Sequence, residues 1–97
     1  MTDSMLPILR QMHDADGDRA LARLLLAVPD AILLTHQEVV TAICRRRRFD
    51  AGERFVLFRI TAMRATRDER GRIADGLADG LARFCDAMAA FAEGAGA

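Results

Sequence analysis

The residues best equipped for chemistry are a run of four arginines, Arg45–Arg48, followed closely by Arg54, Phe55, Phe58 and Arg59. Guanidinium groups are permanently charged and donate in a planar fork to carboxylates and phosphates. The run therefore suits electrostatic steering onto an acidic protein face or a nucleic-acid backbone. Interfaces concentrate their binding energy in large apolar groups and arginine. Phe55, Phe58 and Arg59, with Arg54 beside them, are accordingly expected to anchor a partner. The plain alternative is that Arg45–Arg48 is a solvated helix end, because cations complement the negative end of the helix dipole. For the phenylalanines the alternative is that the chain's other helices bury them.

No other constellation promises chemistry. Asp14, Asp16 and Asp18 alternate as in a calcium loop, but such a loop needs Gly at its sixth position and Glu at its twelfth. Counted from Asp14, those positions hold Arg19 and Leu25. Asp16 or Asp18 is expected instead to cap the next helix. His13 and His36 have no partners at metal-ligand spacing, and Ser4 is the sole serine. His36 falls on an apolar stripe and is expected to be a packed histidine bonded to backbone. Cys44 and Cys85 form no CxxC pair and are expected to be buried thiols. The sequence thus predicts a non-enzyme with no cofactor and no metal.

The formal net charge is 0, but the charge is unevenly placed. Residues 1–44 carry −3, residues 45–72 carry +6 and residues 73–97 carry −3. A basic block between acidic ones can meet nucleic acid, meet an acidic protein, or fold back on its own flanks. Neutrality overall argues against tight phosphate binding. All 14 basic residues are Arg, and Ala is abundant; both have GC-rich codons, which points to a high-GC bacterial genome. The chain shows no signal peptide and no apolar run long enough to span a bilayer, so a cytoplasmic protein is expected.

The elements that must position these residues read as an all-α, single-domain bundle of four to five short helices, with 91–97 as a frayed tail. Caps at Thr2, Asp3 and Ser4 and a Pro at position 7 open a first helix near 4–13. Leu21, Leu24, Leu25 and Val28 mark one face of a second, which Pro29 ends. Ile32, Leu33, His36, Val39, Val40, Ile43 and Cys44 stripe a third, with a capping box at Thr35–Glu38 where it can restart and firm helical character over 36–47. Asp50–Glu53 is a second capping box and opens a fourth helix running to Arg70. Val56, Ile60 and Met63 share one side of it, and Phe55, Phe58, Ala62 and Ala65 the other, so it must be buried on two sides or covered by a partner. A fifth helix, near 72–92, carries a seam at Ile73, Leu77, Leu81, Phe84, Met88 and Phe91, spaced 4, 4, 3, 4 and 3. Asp79 and Arg83 are set for an i, i+4 pair. Gly76 and Gly80 within that helix predict close approach of another helix.

The third and fourth helices with their connection have the rhythm of a helix-turn-helix centred on 36–70, yet Phe55, Val56, Leu57 and Phe58 would crowd a DNA groove. Three stretches, Val28–Glu38, Arg48–Gly52 and Ala62–Gly71, resemble small alphaproteobacterial proteins carried on conjugative elements, in particular the QseM type of quorum-sensing antiactivator. That resemblance implies a small helical protein that binds and blocks a transcriptional activator, of the LuxR type or another. The preferred reading is therefore a regulator acting by protein contact, as monomer or homodimer, without membrane attachment. The alternatives are a DNA-binding repressor or accessory factor using the same segment, or an interaction module of toxin–antitoxin or phage type.

Overall fold

A computed structural model describes residues 6–94, all helix and connection. Among them run α1 (Pro7–Asp14), α2 (Asp18–Ala27), α3 (Asp30–Thr35), α4 (Gln37–Arg46), α5 (Asp50–Arg64) and α6 (Asp75–Ala92). The fold is all-α, and no helix among the described residues is long and apolar enough to cross a membrane. The molecule is only 18 Å across its thinnest direction. That is the depth of two packed helix layers, since helix axes sit ~8–10 Å apart.

The extra helix arises because the expected third helix breaks at His36 into α3 and α4. Neither capping box closes. His36 and Phe49 occupy the N-cap positions of α4 and α5 without a side-chain cap bond. Glu53 instead accepts from Arg45 Nε at 2.6 Å. Gly17, with φ +93°, takes the cap position of α2, and Asp18 is its first residue rather than its cap. Pro7 opens α1 as expected, whereas Thr2, Asp3 and Ser4 lie outside the described residues.

One core runs through the molecule, from Leu9 and Met12 of α1 through Leu21, Leu25 and Val28, to Val40, Ile43, Phe55, Val56, Ile60 and Met88. α5 is its axis, packing against α4, α6, α3 and α2. This explains its apolar character on both sides. Phe55 meets Phe84 edge-on with ring centres 5.4 Å apart, and Phe58 meets the same ring at 6.0 Å. Gly80 has the close approach its motif suggested, since a Cβ there would lie 2.9 Å from the Phe58 ring; Gly76 faces open space.

α5 ends at Arg64, well short of Arg70. The Asp68 carboxylate accepts from the backbone N–H of Arg70 and of Arg72, and Arg67 donates to the Gly71 carbonyl. Asp side chains offer the backbone such local partners in place of a helical ladder. The segment becomes a tied loop with Gly71 at φ +79°. At the other end, Phe91 and Ala92 are helical rather than frayed; Ala92 is buried, and Phe91 stacks on Phe49 at 5.6 Å.

Candidate partner-binding surface

The arginines of the basic block divide into two sets. The first closes the fold by capping helix C-termini, where the last carbonyls lack helical partners. Arg59 donates from Nε and Nη2 to Asp30 Oδ1 at 2.9 and 2.6 Å, and from Nη1 and Nη2 to the carbonyls of Leu25 and Val28 at the end of α2. Its side chain is 13% exposed. Arg47 donates to the carbonyls of His13 and Ala15 at the end of α1. Outside the block, Arg23 does the same for α6, donating to the Ala92 carbonyl at 2.8 Å.

The second set faces outward. Arg46, Arg48 and Arg54 are exposed, and no hydrogen bond or ion pair among the described residues involves their side chains. Arg45 is exposed but held by Glu53. The run Arg45–Arg48 is therefore not one cationic patch. Alternate members point to different tasks, because a helix turns each successive side chain by ~100°.

Arg48 sits in a backbone conformation that a side chain resists, at φ +58°. The reason is the ending of α4. Phe49 N–H bonds back to the Cys44 carbonyl and Arg48 N–H to the Arg45 carbonyl. This pair of bonds defines a Schellman cap, whose left-handed position Gly normally fills. Arg there costs ~1–2 kcal/mol of backbone strain.

The expected aromatic anchors are corrected. Phe55 is 1% exposed and lies in the core, so it cannot dock a partner. Phe58 is half-buried between Gly80 and Phe84. Arg59 is a clasp inside the fold and not an interface anchor. The periodicity of α5 gave each of these residues two possible faces, and only the position of α6 decides between them. What sequence reading missed is Leu57, 46% exposed between Arg54 and Arg64 on the outward side of α5. Thr61 completes that stripe and donates only to the Leu57 carbonyl one turn back. Two further apolar residues, Leu34 and Val39, are exposed on α3 and α4. A shallow depression lined by His13, Val39, Ala42, Ile43 and Arg46 runs between α1 and α4.

Other expected sites resolve as follows. His36 is half-exposed at the α3–α4 joint, and its ring makes no hydrogen bond among the described residues. His13 Nδ1 lies 2.9 Å from Asp14 Oδ1, and this hydrogen bond lowers the Asp14 pKa. Cys44 is a buried free thiol; burial, then the carboxylates of Glu53 and Asp18, push its pKa up to about 11. Cys85 is free and half-buried. Asp79 and Arg83 make no ion pair among the described residues.

No family model, no curated protein and no solved structure matches this chain.

Proposed function

We propose that the chain is a non-catalytic regulatory protein that binds and restrains a transcriptional activator. The surface assigned to that contact is the outward stripe of α5, Arg54, Leu57, Thr61 and Arg64, continued at the turn by Arg48. The observation that carries this reading is the combination on one exposed face of unpaired arginines and a large apolar side chain, the composition that interfaces favour. The strained Arg48 supports it, because strain of this kind persists where a side chain is wanted at that spot. The resemblance of Val28–Glu38, Arg48–Gly52 and Ala62–Gly71 to conjugative-element antiactivators suggests a LuxR-type activator as the target. Arg45–Arg47 contribute differently: Arg46 is exposed beside the depression between α1 and α4, Arg45 pairs with Glu53 at the surface, and Arg47 holds the end of α1.

One observation favours a second reading, a DNA-binding factor. Phe55, Val56 and Phe58 turn inward, so the outward face of α5 has no aromatic to crowd a groove. The experiment that separates the two is paired. The chain and a LuxR-type activator encoded beside it are co-expressed and co-purified, and the chain alone is titrated onto random duplex at low salt. Protein antagonism gives co-purification that Leu57→Asp and Arg54→Glu abolish, with no duplex shift. A duplex shift that falls steeply with salt, with no co-purification, replaces the first reading with the second.

A further inference from the structure

Between Ala62 and Met88 no residue is buried, although the span includes the first half of α6. On that half, Leu77, Ala78, Gly80 and Leu81 are half-exposed and the other residues of 75–83 are exposed. Gly80 meets the Phe58 ring with no side chain of its own to interlock. Packing holds most helices in place, because propensity alone leaves short ones marginal. Propensity is also poor here. Gly76 and Gly80 each weaken the helix relative to Ala, and Ala74 at the N-cap makes no side-chain cap bond. Asp75 in the first turn offsets part of that loss. The connection before the helix is no anchor. Among the described residues its side-chain hydrogen bonds stay local, from Arg67 to the Gly71 carbonyl and to Asp68 from the N–H groups of Arg70 and Arg72.

The second half of α6 is held differently. Met88 and Ala92 are buried, Arg23 donates to the Ala92 carbonyl, and Phe91 stacks on Phe49. Phe84, in edge contact with Phe55 and Phe58, marks where the grip begins. Few buried contacts and exposed backbone hydrogen bonds are the signs of a segment that opens below the global unfolding free energy. We propose that residues 65–83 open as a unit while the rest of the fold stays closed, making the α5–α6 connection the point where an arginine-specific protease enters the folded chain. A protease needs an extended stretch on either side of the bond it cuts, so exposure of an arginine is not enough. Arg46 and Arg48 are exposed too, but their turn is tied to buried Phe49, whose N–H donates to the Cys44 carbonyl. Arg67, Arg70 and Arg72 lie on a connection with no buried residue to pin it. Cleavage there tracks the population of the open form.

Native-state hydrogen exchange of the full chain, paired with brief trypsin digestion and mass mapping of the first cuts, tests it. The expected result is that amides of residues 79–83 exchange about tenfold or more faster than those of residues 88–92. The first cuts are expected after Arg67, Arg70 or Arg72. Gly76→Ala adds its methyl in open space and strengthens the helix without touching the connection. It should slow both exchange at 79–83 and cutting after Arg72 by about two- to fivefold. Exchange at 79–83 no faster than at 88–92 overturns the proposal, because the two halves of α6 then open together. First cuts after Arg46 or Arg48 overturn it as well. So does a Gly76→Ala chain that exchanges and is cut as fast as the wild type.

Discussion

At the scale of single residues, the arginines carry the account. Arg47 and Arg59 are ordinary members of a basic block by sequence, and nothing in their spacing tells them from Arg46 and Arg54. The difference is which carbonyls lie within reach, and that depends on where α1 and α2 end in space. Arg48 is the most specific case. Arg48→Gly should relieve its left-handed backbone and raise stability by about 1 kcal/mol, seen as a higher denaturant midpoint at unchanged slope. The same change should weaken activator binding, so stability and function move in opposite directions. Cys44 gives a pH signature. Its folded pKa of about 11 lies above the ordinary 9.0, so the folded state holds the proton more tightly. The associated stability is complete below about pH 9 and is lost as pH rises toward 11. On the order of 2 kcal/mol should drain away over that window, and Cys44→Ala should flatten the slope in alkaline thermal melts.

At the scale of elements, periodicity made most helices legible. The face of α2 is the one that the apolar spacing marks, with Leu21, Leu25 and Val28 buried, and on the seam of α6 Met88 is buried, Phe84 half-buried and Phe91 37% exposed. Boundaries were less legible where a side chain competes with the helical ladder. Asp68 ties its own loop and stops α5 early, and Glu53 pairs with Arg45 instead of completing a capping box. Neither choice is visible in a pattern that both outcomes satisfy. The two glycines of α6 provide a test at this scale. Gly76→Ala adds a methyl in open space and should gain roughly 0.5–1 kcal/mol of helix propensity. Gly80→Ala places its methyl 2.9 Å from the tip of the Phe58 ring, which must shift beside Phe84. It should gain clearly less, or lose stability, when the two variants are unfolded side by side in urea.

At the scale of the whole molecule, the basic middle of the chain is divided between two uses. Part of it folds back on its flanks: Arg47 closes α1, and Arg59 closes α2 and holds Asp30. Arg45 pairs with Glu53 and Arg67 ties its own loop, while Arg46, Arg48, Arg54, Arg64, Arg70 and Arg72 are presented outward. The all-α class was readable from composition and spacing, whereas the apolar sides of α5 were readable only as burial on two sides or cover by a partner. The candidate site was readable only as a region. Burial of Phe55 moved its centre from the aromatic pair to Leu57 and its neighbouring arginines, because one helix can hide either face and the sequence does not say which. The division itself is open to direct measurement by thermal unfolding of single Arg→Gln variants. Charge-assisted bonds to buried carbonyls contribute about 1.5–3 kcal/mol, and in a domain of this size each kcal/mol shifts Tm by roughly 4–8 °C. The account predicts that Arg59→Gln and Arg47→Gln each lower Tm by on the order of 10 °C, while Arg46→Gln, Arg54→Gln and Arg64→Gln leave it nearly unchanged. Equal losses in both groups, or a loss confined to the outward set, would contradict it.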